Sequence, residues 1–266
     1  MANRINQTDA GQYLQDLVKE AGKILQKYFN TGFFTQKQKE GVDFTTQADS
    51  EVDKFLRDNL KKKYPVSNFL TEETAPSDYS SLSETENLWV IDPLDGTINF
   101  SRKHSNFAIS VALMDKGKIK LGVVYVPIEN KLYYAQSDKE GAYLNNEKIK
   151  VSSTSVLRET VVACDWAWGL NKRKNVIKWL DKLCPHVRQI KSMGSAASDL
   201  ASLAAGKIDV YIHSGLKPWD VAAAGLIIKK AGGKITLPNS SEWSPFNPDI
   251  LASNNILFKE VLKLIH

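Results

Sequence analysis

The segment Trp89–Phe100 constrains this chain more than any other. The apolar run Trp89-Val90-Ile91 reads as a buried strand. It runs straight into Asp92-Pro93-Leu94-Asp95-Gly96-Thr97. Pro93 has no N–H with which to continue a ladder. Gly96 permits a tight turn and a close backbone approach, and Thr97 can cap or open a helix. Two carboxylates, a main-chain carbonyl and a helix N-terminus therefore meet at one strand end. Hard oxygen donors of this kind suit Mg²⁺, not Zn²⁺. Amides at a helix N-terminus attract an anion such as phosphate. A bare Asp-Pro-x-Asp-Gly also reads as a solvated turn, because Asp, Pro and Gly are the usual turn residues.

Further acids at element ends weigh against the solvated turn. Glu72 follows the short apolar pair Phe69-Leu70 in Thr71-Glu72-Glu73. Asp49 lies at the start of a helical pattern, in Thr45-Thr46-Gln47-Ala48-Asp49. Asp220 lies in the first turn of a helix that opens Pro218-Trp219-Asp220. Each is an acid beside apolar residues, where a plain solvated face is less natural.

The rest of the chain reads as two halves, 1–152 and 153–266, in one compact unit of 266 residues. In the first half, Asp9 can cap a helix whose stripe runs from Tyr13 to Phe29, and a polar loop spans Asn30 to Asp43. A second helix starts near Thr46 and stops before Pro65, which cannot continue it. From Phe107 to Val151, strand-like runs alternate with turns, which predicts an antiparallel sheet. The second half alternates strand and helix. Its strands are Thr160–Cys164, Val187–Lys191, Ile208–Ile212, Ile235–Leu237 and Ile250–Ser253. Its helices are Lys174–Leu183, Ala196–Ala205, Pro218–Ala231 and Ile256–Ile265. The whole is α+β, with a site expected at the junction of the halves.

Several classes are disfavoured. No run of 18 apolar residues exists, and the first residues are polar and not signal-like, so a cytoplasmic protein is expected. Cys164 and Cys184 show no metal-ligand spacing and read as buried free thiols. No P-loop, GxGxxG or GxSxG is present. The net charge of +5 fits an anionic substrate or an incidental surface better than a dedicated nucleic-acid scaffold.

The segment Trp89–Phe100 resembles the first signature of the inositol monophosphatase family. Pro218-Trp219-Asp220-Val221-Ala222-Ala223-Ala224-Gly225, ending at Ala231-Gly232-Gly233, resembles the second. Thr71-Glu72-Glu73, Phe44 to Asp49 and Gly194-Ser195-Ala196-Ala197 match in order and spacing, so the resemblance covers essentially the whole chain. It implies a layered αβαβα sandwich of the inositol monophosphatase and fructose-1,6-bisphosphatase type. It also implies Mg²⁺-dependent hydrolysis of a small phosphate monoester, with two or three ions. Glu72, Asp92 and the carbonyl of Leu94 would hold one ion, and Asp92, Asp95 and Asp220 a second. Asp49 would stand near a third and orient the water with Thr97, and Glu72 would share that work. Gly96 and Thr97 would grip the phosphate. Asp95, Gly194, Ser195, His213 and Asp220 would meet the rest of the substrate. Family members also imply a homodimer and Li⁺ sensitivity.

The substrate stays open at this point. His213 stands where many inositol-specific members carry Glu, in a segment read as a loop from Tyr211 to Lys217. Histidinol phosphate, a sugar phosphate or NADP are alternatives to inositol monophosphate. Trp166 and Trp168 can stack on a base or sugar, or pack as core or at a dimer contact. Lys61-Lys62-Lys63 and Lys172-Arg173-Lys174 read as solvated faces, with a non-catalytic regulatory or RNA-binding member as the alternative.

Overall fold

The computed structural model describes residues 5–32, 34–38, 44–167 and 169–266. Helix α1 spans Gln7–Thr31 and α2 spans Gln47–Lys63. Between them, β1 (Gln36–Gln38) pairs antiparallel with β2 (Phe44–Thr46). Part of the expected polar loop is therefore a hairpin, while Lys39 and Gly41 lie outside the described residues. Asn6, not Asp9, caps α1: its Oδ1 accepts from the amides of Thr8 and Asp9 at 2.9 and 3.4 Å. Asp9 instead accepts from Tyr64 Oη at 2.9 Å.

The first sheet contains β3 (Asn68–Thr71), β4 (Leu88–Asp95), β5 (Ala108–Asp115), β6 (Lys118–Val126), β7 (Lys131–Gln136), β8 (Ala142–Leu144) and β9 (Glu147–Ile149), in chain order. All its pairings are antiparallel except one: β3 runs parallel to β4. The expected antiparallel run from Phe107 to Val151 is present as β5 to β9, and the parallel pair arises because the 3₁₀ turn Ser80–Glu84 and its flanking loops carry the chain back to the same sheet end.

A short helix α3 (Thr97–Ser101) follows β4. The second sheet holds β10 (Val161–Ala163), β11 (Gln189–Lys191), β12 (Val210–Ser214), β13 (Gly233–Thr236) and β14 (Asp249–Asn254), in the order β11-β10-β12-β14-β13. Helix α4 spans Leu170–Leu183, α5 spans Ala196–Ala204, α6 spans Pro218–Lys230 and α7 spans Phe258–Ile265.

The layers follow from which faces are apolar. Helices α1 and α2 bury Leu14, Leu25, Val52 and Leu56 against Trp89, Ile91 and Val123 of the first sheet. Helices α5 and α6 fill the space between the two sheets. Helices α4 and α7 cover the far face of the second sheet through Val176, Leu183, Val261 and Ile265. The stack is thus αβαβα. Helix α6 is buried nearly all round, which explains its run Val221-Ala222-Ala223-Ala224. A Cβ on Gly122 of β6 would lie 2.5 Å from the carbonyl oxygen of Ala223, so only glycine lets α6 come this close. That close packing, with Ser110 Oγ donating to the carbonyl of Trp219 at 2.9 Å, brings the start of α6 to β5.

Candidate active site

The acidic end of β4 is shaped by a bulge. Asp92 pairs with Ser110 and Asp95 with Ala108, so β4 holds one residue more than β5 between these pairs. Strand β4 therefore continues past Pro93 to Asp95, beyond the end expected at Asp92. The amide of Leu94 donates to Asp92 Oδ1 at 3.0 Å and folds the bulge over that carboxylate. Gly96 then adopts φ = +93° and α3 begins. A Cβ there would lie 3.0 Å from the carbonyl of Gly194 and 3.2 Å from Ser195 Cβ.

Asp220 arrives from the second half at the third position of α6, where its Oδ2 accepts from the amide of Lys217 at 2.8 Å. Oxygens of Asp92, Asp95 and Asp220 lie within 4.8 Å of one another. Glu72, just after β3, lies close enough to Asp92 for its charge to act on that carboxyl. Its amide donates to the carbonyl of Ile91 at 3.1 Å, which holds Glu72 beside β4. Asp49 caps α2: its Oδ2 accepts from the amide of Thr46 at 2.9 Å and from the Thr46 hydroxyl. Thr97 Oγ1 donates to Asp49 Oδ1 at 3.3 Å and to the carbonyl of Leu94 at 3.1 Å. Ser195 Oγ and the amide of Ala197 donate to Asp95 Oδ2 at 2.5 and 2.7 Å. Gly194 has φ = +81° and stacks its carbonyl on Gly96.

The electrostatics match this crowding. Burial, then the charge of Glu72, raises the Asp92 carboxyl well above its ordinary range. Burial, then Asp95, does the same to Asp220. Burial raises Asp95 to about 7 against the opposing hydrogen bonds of Ser195 and Ala197. Burial likewise raises Asp49 to about 7, against its Thr46 bonds. Carboxyls crowded like this, with Asp49 and Asp92 buried, cannot all ionise without a cation. The donors are all hard oxygens, so the residues fit a divalent ion of the Mg²⁺ type.

His213 lies in strand β12 and not in a loop, paired with Ile250. Its ring is 4% exposed and stacks parallel to Tyr211, with centroids 6.3 Å apart. Burial outweighs the pull of Asp249 and lowers the imidazole to about 4, so it is neutral at physiological pH. Trp166 is 46% exposed, which rules out core packing; Trp168 lies outside the described residues. Cys184 is exposed and only Cys164 is buried. Lys172 pairs with Asp249 at 3.3 Å, and Arg173 Nε donates to the carbonyl of Ala167 at 2.6 Å.

A polar cleft of about 490 Å³ is lined by Asn99 and His104 to Asn106 on one side and Ser192 to Gly194 on the other. Sequence reasoning missed the network behind this cleft. Asn99 Nδ2 donates to the carbonyls of Met193 and Asn106 at 2.7 and 2.6 Å. Asp165 and Asp199 are joined to it. Both were legible only as acids in otherwise small or apolar segments.

The model of the inositol monophosphatase family matches residues 7–266. The inositol-1-monophosphatase of Bacillus subtilis is 32% identical over 262 residues, which span 97% of each chain. The Nus factor SuhB of Escherichia coli is 32% identical over 246 residues, 92% of this chain and 91% of that one. Among solved structures, the Thermotoga maritima IMPase superposes with a TM-score of 0.85 at 32% identity, covering 96% of this chain and 95% of that one. No helix among the described residues is long and apolar enough to cross a membrane. With motifs, layers and acidic cluster all in register along its length, the chain belongs to the inositol monophosphatase family.

Proposed function

We propose that this protein hydrolyses a small phosphate monoester, of the inositol monophosphate kind, with Mg²⁺. The observation that carries the reading is the convergence of Asp92, Asp95 and Asp220 oxygens to within 4.8 Å. Glu72, Asp92 and the Leu94 carbonyl would hold one ion, Asp92, Asp95 and Asp220 a second, and Asp49 would stand by a third. Bound Mg²⁺ lowers the pKa of a water and spreads charge off the phosphoryl group. The remaining work belongs to the chain. The Thr97 hydroxyl donates a hydrogen bond to Asp49, so its lone pairs can orient a water. Asp49, held near 7 by burial, can take up the proton that water loses, and Glu72 can share that role. The amides of Gly96 and Thr97 would bind phosphate oxygens at the start of α3. Ser195 fixes Asp95, and Gly194 keeps the turn close to Gly96.

The two halves act as one unit in this reading, since Asp220 comes from the second and Asp92 and Asp95 from the first. The neutral His213 would offer one donor and one acceptor to a polyol, in place of a carboxylate. A cytoplasmic homodimer completes the proposal, and sedimentation tests the dimer.

A turnover panel with Mg²⁺ tests the activity: inositol 1-phosphate, histidinol phosphate, fructose 1,6-bisphosphate, NADP and 3′-phosphoadenosine 5′-phosphate. Preference for inositol 1-phosphate is expected. Preference for another of the five would replace the substrate, and no turnover on any would sink the reading. The likeness to a Nus factor supports a second, regulatory reading. The retained acids Glu72, Asp92, Asp95 and Asp220 favour the enzyme, because a retired site has no need of them.

A further inference from the structure

Asp165 sits in the loop after β10, on a segment that supplies no acid to the cluster. Its Oδ1 accepts from Ser192 Oγ at 2.8 Å and from the amide of Gly194 at 3.0 Å. Those two bonds pin the turn that leads into Ser195. The turn has little slack: Gly194 is at φ = +81°, and a Cβ there would lie 2.8 Å from Asn99 Nδ2.

On its other side Asp165 lies close enough to Asp199, in the first turn of α5, for each carboxyl to act on the titration of the other. Asp165 Oδ2 and Asp199 Oδ2 are both buried without a hydrogen-bond partner. Two neighbouring buried carboxyls that no donor reaches can satisfy each other by sharing one proton. Asp199 Oδ1 accepts from Asn106 Nδ2 at 3.3 Å. Asn106 cannot turn over, because its Nδ2 also donates to the carbonyl of Met193 at 2.9 Å and its Oδ1 accepts from Ser198 Oγ at 2.7 Å. The phenol of Tyr211 is buried without a partner, and the charges acting on it are led by Asp165 and Asp199.

We propose that Asp165, bridged to Asp199 by a single proton, is a positioning residue: it holds the Gly194–Ser195 turn so that Ser195 and Ala197 keep Asp95 aimed into the metal cluster. The inference rests on the Mg²⁺ site proposed above. Asp165 touches none of the cluster carboxylates. It acts through the turn.

The hydrogen-bond count makes this testable. Asn at position 165 keeps an oxygen for Ser192 and Gly194 and offers its Nδ2 to Asp199. Asn at 199 keeps an oxygen for Asn106 and offers its Nδ2 to Asp165. With Asn at both, two donors face each other, and neither can turn without losing its fixed partner. Mg²⁺ is titrated by thermal shift and by turnover on wild type, Asp165→Ala, Asp165→Asn, Asp199→Asn and the double Asn variant. Asp165→Ala and the double variant should need about tenfold more Mg²⁺ for half the shift, the loss of roughly one to two hydrogen bonds. Each single Asn variant should stay close to wild type. Wild-type Mg²⁺ response in Asp165→Ala, or a single Asn variant as poor as the double one, would overturn the proposal. If Asp165→Ala does not fold, the Asn series decides alone. A wild type that shifts with Mg²⁺ but turns over nothing sinks the phosphatase reading and leaves this inference standing. A wild type with no Mg²⁺ shift ends both.

Discussion

Ser195 Oγ donates to Asp95 Oδ2 at 2.5 Å, across 100 residues of sequence. The bond joins the start of α5 to the end of β4 and occupies one oxygen of a carboxylate that belongs to the acidic cluster. Its removal should therefore loosen Asp95 without unfolding the protein. Ser195→Ala should lower kcat/KM about tenfold and leave the melting temperature within a few degrees, since one hydrogen bond to a charged group is worth about 1.5–3 kcal/mol. Steady-state kinetics beside a thermal melt check this. Unchanged kcat/KM would mean that Ala197 alone fixes Asp95.

Asp92 is 1% exposed among other acids, so in the absence of a cation its charge opposes folding. Asp92→Asn should raise the metal-free melting temperature by several degrees, as about 1–2 kcal/mol does in a protein of this size. The same variant should lose Mg²⁺-dependent turnover and most of the Mg²⁺-induced thermal shift. Scanning calorimetry with and without Mg²⁺ reads both effects. Retention of full turnover would show that Asp92 is no ligand.

The pH response follows from Asp49 and Asp95, both raised to about 7 by burial. A carboxyl whose folded pKa lies above its unfolded value binds its proton more tightly when folded. Its contribution is complete below the unfolded value of 3.8 and is lost as pH rises through about 7. In metal-free protein, Asp49→Asn should therefore flatten the fall in stability between about pH 4 and 7 relative to wild type. With Mg²⁺ present the sign reverses, because a metal binds the deprotonated carboxylates, and the Mg²⁺-induced shift should grow over the same range. Urea melts at several pH values test this. A parallel pair of curves for wild type and Asp49→Asn would contradict it.

Gly96 combines φ = +93° with a Cβ position 3.0 Å from the carbonyl of Gly194. Alanine there meets both backbone strain and a fixed carbonyl, so Gly96→Ala should cost about 1–3 kcal/mol of stability. Turnover should fall more than stability does, because the Gly96 and Thr97 amides shift with the turn. Denaturant melts and single-substrate kinetics measure the two effects. A neutral result in both would show that the turn can relax.

Much of the fold could be read from local pattern because its elements carry their own signals. Pro218 at the first position of α6, the Thr46–Asp49 cap of α2 and the apolar run Leu88–Ile91 all appear where periodicity and capping place them. Local pattern falls short where the decisive contacts are distant. His213 follows Val210-Tyr211-Ile212 in a strand that exists through its pairing with Ile250 and its neighbours, so the local pattern at this polar residue reads as a loop while the fold makes it strand. The parallel pairing of β3 with β4 depends on how the intervening chain returns, which local pattern does not encode.

The sequence by itself determined the acids and their element ends. Glu72, Asp92, Asp95 and Asp220 sit beside strands or helix starts that local chemistry dictates, and Asp49 caps its helix through Thr46. Tertiary structure alone decided that these ends meet. The burial of α6 between two sheets carries Asp220 to Asp92, and the Ser195 bond ties Asp95 to α5. It also decided the protonation of the site, since the pKa of a carboxylate follows its burial and its neighbours' charges. Neither is a property of the residue or of its neighbours in sequence.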